Sequence, residues 1–331
     1  IRPGYVELIN AIDDLTEEVL RDSRIINKTN EVAAKAEEYI SKYWDSLRNV
    51  TRPTDILQLR EDMLDEIKQL LSEFKFIDVY DGYQIIADIW KEALTHDIEL
   101  IAASDFYAVA RTREPNMVTK GTGKNKREEQ DGWVGSIVPN ELIAERLYTE
   151  ELNEIKNKQS RVQEVDIELS ELVEAAKVED TDENNALYEV IKKNEEDEPQ
   201  DSFENKTVKS ELKNARKGTT EYDLLKKVDE LMAEKSMLGK AIKAEEKTLK
   251  EMVYDRIMSL TNEEIDGLVH EKWFGNVAAD LVNLVTIPLK AELSTLDMLN
   301  KRYANTLSEL DTEIRTLEET FETLMSEMVV E

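Results

Sequence analysis

Residues 291–328 read AELSTLDMLNKRYANTLSELDTEIRTLEETFETLMSEM, and one rhythm runs through them. Leu293, Leu296, Asn300, Tyr303, Leu307, Leu310, Ile314, Leu317, Phe321, Leu324 and Met328 are separated by alternating steps of three and four. That spacing places them along a single stripe of a helix, the a and d positions of a coiled-coil heptad. A lone helix gains little from an exposed apolar stripe, so the seam predicts a partner helix, in this chain or in another protein. Asn300 is the strongly polar residue of the seam, placed to fix register at some loss of stability.

Two more runs of this kind lie upstream. Leu152, Ile155, Gln159, Val162, Asp166, Leu169, Val173 and Ala176 form the first, with Gln159 and Asp166 as polar interruptions. Leu224, Val228, Leu231, Leu238, Ile242, Leu249 and Met252 form the second, interrupted by Lys235 and Glu245. Together they predict an antiparallel helical hairpin. The segment between them, Val178 to about Asn205, is acidic and poor in apolar residues, with Glu195-Glu196-Asp197-Glu198-Pro199 at its centre. It reads as an exposed or disordered connection. Thr261 with Glu264 has the spacing of a capping box. His270-Glu271-Lys272-Trp273-Phe274-Gly275 reads as a packing knot.

The amino-terminal half is also helical by periodicity, from 5 to 50 and again from Thr54, a cap with Asp55 beside it. Residues 78–103 are its most apolar part. The expected fold is mainly α: a helical globular region, long antiparallel coiled-coil helices and a small irregular or β-containing basic region. The expected divisions are 1–73, 74–150 with a basic loop at 111–136, 151–260 with the acidic connection at 178–215, and 261–331.

That basic loop stands out in an acidic chain. Arg111, Arg113, Lys120, Lys124, Lys126 and Arg127 lie close together, with Glu114 among them. It reads as a loop with short strands at Phe106–Ala110 and Trp133–Val138. Either it touches nucleic-acid backbone or it is a mobile surface loop balanced by neighbouring acids. Gly121-Thr122-Gly123-Lys124 is not a phosphate-binding loop, because position 118 is Val and 125 is Asn. His270-Glu271 is not a zinc motif, because 274 is Phe.

Composition narrows the function classes. Charged residues make up 35% of the 331, hydrophobic ones 40%, and there is no cysteine. Disulfides, thiolate metal sites and cysteine nucleophiles are excluded, and a cytoplasmic location is expected. The formal charge of −30 disfavours nonspecific DNA binding. It fits a solvated surface on long helices, with DNA mimicry as the alternative. No membrane span is visible. The two histidines, His96 and His270, have no legible catalytic or metal partners. The opening Ile1-Arg2-Pro3-Gly4 suggests a piece of a longer protein.

Trp133-Val134-Gly135-Ser136-Ile137-Val138-Pro139-Asn140-Glu141-Leu142-Ile143 resembles the segment of Type I restriction-modification modification subunits in which a tryptophan and an Ile-Pro-x-x-Leu-Ile stretch lead into a long helix. Phe76 to Gln84, continuing to Trp90, is similar to the family's segment after the catalytic fold. The Arg111–Met117 stretch and the terminal coiled coil resemble the family too. The likeness covers most of the chain from about 74 onward. It implies a parent protein that uses S-adenosylmethionine to methylate the exocyclic amine of adenine, on a base flipped from the duplex. This chain contains neither Asn-Pro-Pro nor Phe-x-Gly-x-Gly, so no catalytic, cofactor or metal residue is carried onto it, and alone it is expected to be inactive. The resemblance implies partners instead: a specificity subunit, a second modification subunit, a motor-nuclease restriction subunit, and DNA through the assembled complex. The reading outside this family is an acidic coiled-coil scaffold unrelated to DNA.

Overall fold

The computed structural model describes residues 12–120, 126–178, 182–195, 198–302 and 307–328. The fold is mainly α, with two small antiparallel two-stranded sheets among the described residues. The chain forms two compact units: Ile1–Phe106 with His270–Glu331, and Tyr107–Val269. The first unit joins sequence ends that the linear divisions 1–73 and 261–331 keep apart. Periodicity marks which face of a helix is apolar but not which distant helix covers it.

In the first unit, α1 (Ile12–Leu20) leads to α2 (Ser23–Arg48), α3 (Ile56–Ser72), α4 (Val79–Ile89), a π-helical turn (Trp90–Leu94) and α5 (Thr95–Ala103). The expected single run from 5 to 50 is broken at Asp22, whose carboxylate accepts from the Arg24 backbone N–H and caps α2. Residues before 12 lie outside the described ones. The cap of α3 is Asp55, not Thr54: Asp55 accepts from the Gln58 N–H, while Thr54 Oγ1 accepts from the Thr51 N–H. α2 buries Val32, Ala36, Tyr39, Ile40, Tyr43 and Leu47, one face at helical spacing. α13 (Val277–Arg302) packs against α2 and α4, with Val277, Leu281, Leu284 and Val285 inside. Gly82 of α4 lies where a Cβ would come within 2.0 Å of Leu71 Cδ1, so a larger residue there would push the buried Leu71 side chain aside.

In the second unit, the prediction of a hairpin is met by α8 (Thr149–Val178) and α11 (Thr220–Ile257). Ion pairs run in antiparallel order between them, Lys158 to Glu245 and Asp166 to Lys235, both at 2.5 Å. Two of the polar interruptions, Asp166 and Lys235, thus answer each other, while Gln159 donates to Glu246 and Glu245 takes Lys158. Arg161 donates to both Glu234 oxygens, at 2.8 and 3.1 Å, and also reaches Glu168. These hydrogen bonds hold Arg161 above and Glu234 below their ordinary pKa values.

The acidic segment between these helices is not the exposed connection that its composition predicts. It forms α9 (Asp182–Glu189), β3 (Ile191–Lys193), β4 (Pro199–Phe203) and α10 (Asn205–Asn214). Leu187, Val190, Ile191, Phe203 and Val208 are buried with Val173, Leu225 and Val228. A few well-spaced apolar residues suffice when two long helices already offer them a wall.

The basic region also differs from expectation. Phe106–Ala110 is a helical turn, α6, not a strand. Its buried Phe106, Val109 and Ala110 have the i, i+3, i+4 spacing of a helix face. The strands are β1 (Arg113–Lys120) and β2 (Arg127–Gly135), paired antiparallel, so Arg113, Lys120 and Arg127 lie on the strands themselves. α7 (Asn140–Leu147) follows. α12 (Asn262–Phe274) begins with the predicted capping box: Thr261 Oγ1 accepts from the Glu264 N–H, and Glu264 accepts from the Thr261 N–H. The last described element is α14 (Leu307–Met328).

Candidate interaction surfaces

The β1–β2 hairpin is built onto the end of α11. Pro115 faces Trp133 and Met117 faces Gln130, which leaves an extra residue in β2. The resulting bulge needs Gly132, at φ +81°. A Cβ there would sit 2.2 Å from Tyr254 Oη, so the bulge is also where β2 touches α11. Arg113 lies 4.8 Å over the Trp133 ring and donates to the Tyr254 carbonyl at 2.7 Å. Arg111 donates to the Leu260 carbonyl at 2.8 Å, to the Tyr107 carbonyl at 3.3 Å and to Asn262 Oδ1. The last carbonyls of a helix have no partner within it, and a cation there is favoured by the helix dipole. The two arginines therefore fasten the hairpin to α11 and its exit.

The other basic residues are distributed differently. Arg127 is 2.6 Å and Lys120 is 3.6 Å from Glu129. Lys126 is exposed, and Lys124 lies outside the described residues. Strand pairing places Glu128 opposite Thr119 and Glu129 opposite Val118, so carboxylates that follow the basic run in sequence stand beside it in space. The hairpin is a mixed-charge surface with Lys120, Lys126 and Arg127 outermost. Past the hairpin, Asn140 donates to the Trp133 carbonyl at 2.7 Å and accepts from the Gly135 N–H at 3.3 Å. Ile137, Val138 and Ile143 are buried. The Trp133-to-Ile143 segment is a structural joint between strand and helix.

The carboxy-terminal seam is the second surface. Leu293 is buried, but the described stripe residues from Leu296 onward are uncovered. Ile314, Leu317, Phe321 and Leu324 are 52 to 64% exposed, and Leu310 is 40% exposed. Every described side chain from 309 to 326 is exposed. Asn300 is exposed too, while Tyr303 and the side chains of Leu307 and Met328 lie outside the described residues. In the α8–α11 hairpin, of the same sequence type, the two helices face each other: Ile155, Val165, Leu249 and Val253 are buried, and Val162, Leu238 and Ile242 are half-buried. The contrast identifies α14 as an apolar face that lacks its cover.

Other sites carry less chemistry. Asp97 is buried and accepts from Lys272 Nζ at 2.6 Å and Trp273 Nε1 at 2.8 Å. Nothing in the sequence sets it apart, because the 78–103 run carries five other acids: Asp78, Asp81, Asp88, Glu92 and Glu99. His270 packs edge-on against Trp44 at 5.1 Å, and burial lowers its pKa. Trp44, Phe106, His270, Trp273 and Phe274 form the aromatic knot expected around His270. An open groove of 690 Å³ between α8, α11 and β4 is lined by Leu169, Val173, Phe203 and Met232, with Lys240 and Lys243 at its edge. Among the described residues no group of His and acidic side chains could hold a metal ion, and no helix is long and apolar enough to cross a membrane.

No protein-family model, curated protein or solved structure matches this chain. The functional reading therefore rests on these two surfaces and on the sequence resemblance. Of the two, the seam departs further from what a self-contained fold leaves exposed, since a row of large apolar side chains normally marks a contact site.

Proposed function

We propose that this chain is the carboxy-terminal assembly region of a Type I restriction-modification modification subunit, cytoplasmic and without catalytic groups of its own. On this reading the seam docks onto helices of the specificity subunit. The S-adenosylmethionine-dependent catalytic part, the second modification subunit and the motor-nuclease subunit are then gathered around the DNA. The uncovered stripe from Leu310 to Leu324 is the observation that carries the proposal. Full burial of each such side chain contributes about 1.5–3 kcal/mol, so five together outweigh much of the entropy lost on association.

The test is co-expression with the specificity subunit, followed by size-exclusion chromatography with light scattering. A complex that is lost when the chain is cut after Asn300 supports docking through the seam. A complex that survives the cut removes it. In the assembled enzyme, the hairpin residues Lys120, Lys126 and Arg127 lie near DNA on this reading. Changing them to Glu, together with Lys124, is expected to weaken DNA binding and to flatten its dependence on salt.

A further inference from the structure

The seam has flanks as well as a stripe, and their charge is one-sided. With Leu310, Leu317 and Leu324 at d and Ile314 and Phe321 at a, the e positions are Asp311, Glu318 and Met325, and the described g positions are Glu313 and Thr320. None is basic. Arg315, the sole Lys or Arg between 307 and 328, falls at b and points away from a partner on the seam. Residues 309–326 hold six acids in all. Flanking e and g charges set partner choice in coiled coils.

A second copy of this chain meets that pattern badly. A parallel pair in register sets g against the e position five residues on, so Glu313 of one helix faces Glu318 of the other. An antiparallel pair sets e against e, where Asp311 and Glu318 stand. Like charges at such positions oppose pairing. The covered hairpin of this same protein shows the opposite arrangement, since Lys158 and Glu245, Arg161 and Glu234, and Lys235 and Asp166 are matched across it.

We propose that the α14 seam is covered by a partner helix with an apolar stripe flanked by Lys or Arg, and that its acidic flanks exclude self-pairing. This rests on the reading of α14 as an assembly surface, and adds the chemistry of what assembles there. The acids flanking α14 then do more than keep the chain soluble: they select the partner and leave the apolar stripe unpaired until it arrives.

The experiment uses the full chain and two synthetic helices of about four heptads each, with identical Leu and Ile seams. One carries Lys at every e and g position, the other Glu. Binding is read by fluorescence anisotropy, and the state of the chain alone by analytical ultracentrifugation. The chain is expected to sediment as a monomer at tens of micromolar. It is expected to bind the Lys-flanked helix roughly 30-fold more tightly at low salt, with the preference shrinking as salt screens the flanks. The triple variant Asp311→Lys, Glu313→Lys, Glu318→Lys alters exposed positions only and should reverse the preference. Equal affinity for both helices, binding of neither, or a dimer dissolved by Leu317→Glu and Phe321→Glu would each overturn the proposal. Its failure is separable from that of the assembly reading. A specificity subunit that needs the tail but presents acidic flanks defeats this inference alone; one that binds without the tail defeats the assembly reading alone.

Discussion

Asp97 is an acid that an apolar helix carries into the interior, where it is 1% exposed. Its charge is tolerated because Lys272 and the Trp273 indole N–H both donate to Oδ2. Removing one partner of a buried ion pair leaves the other uncompensated. Asp97→Ala is accordingly expected to destabilise the protein by about 3 kcal/mol in urea unfolding. Lys272→Met, which leaves the buried carboxylate only its indole donor, should cost at least as much. Equal and small losses for the two would show that the pair is not holding α5 to α12. His270 makes a second residue-scale prediction. Its folded pKa lies below the ordinary 6.5 because burial penalises the imidazolium. The unfolded chain then binds a proton that the folded chain refuses, so this contribution is complete above 6.5 and is lost as the pH falls below it. Thermal melts between about pH 7 and pH 5 should show that loss, and His270→Phe should remove it. Lowered carboxylates such as Glu66 act further down, below their ordinary 4.5. Neither residue's role was legible in sequence, because each depends on a contact made across more than a hundred positions.

At the scale of elements, the β1–β2 hairpin and α14 make opposite claims on stability. Gly132→Ala places a methyl group against Tyr254 in a backbone conformation that L-residues avoid. It is expected to cost about 2 kcal/mol, of which roughly 1 kcal/mol persists in a Tyr254→Ala background because the positive φ remains. A loss abolished by that second substitution would assign the whole effect to crowding. In contrast, Leu317→Glu and Phe321→Glu should leave thermal stability within about 0.5 kcal/mol, since both side chains already face solvent. Leu225→Ala, on the covered hairpin, should lose about 2–5 kcal/mol. The heptads of 152–176 and 224–252 were readable because alternating three and four steps have one geometric meaning. The acidic connection was misread because average composition hides the few residues, Leu187, Val190, Ile191 and Phe203, that are buried. The basic island was read too simply for a related reason. In sequence Arg127 precedes its acids, whereas in the hairpin Glu129 lies between Arg127 and Lys120.

For the molecule as a whole, a charge of −30 sets the long-range field. Phosphate binding releases counterions only where cations are gathered, and here Arg111 and Arg113 are spent on the backbone carbonyls of Leu260 and Tyr254. The free chain is therefore expected to show no binding to duplex DNA up to about 10 µM at roughly 0.1 M salt, measured by anisotropy. Micromolar binding would mean that the hairpin overcomes the field unaided.

The division into units has a consequence for the living cell. The first unit is completed only by residues after Val269, because α13 supplies the wall against which α2 and α4 close. A ribosome delivers the amino-terminal helices first and then spends about 160 residues on the second unit, roughly ten to thirty seconds at ordinary rates of synthesis. During that interval the buried faces of α2 and α4 have no α13 to meet. The second unit is all in one stretch of chain and has no such wait, so it is expected to be born folded while its predecessor is still a half-built shell in need of a chaperone's shelter.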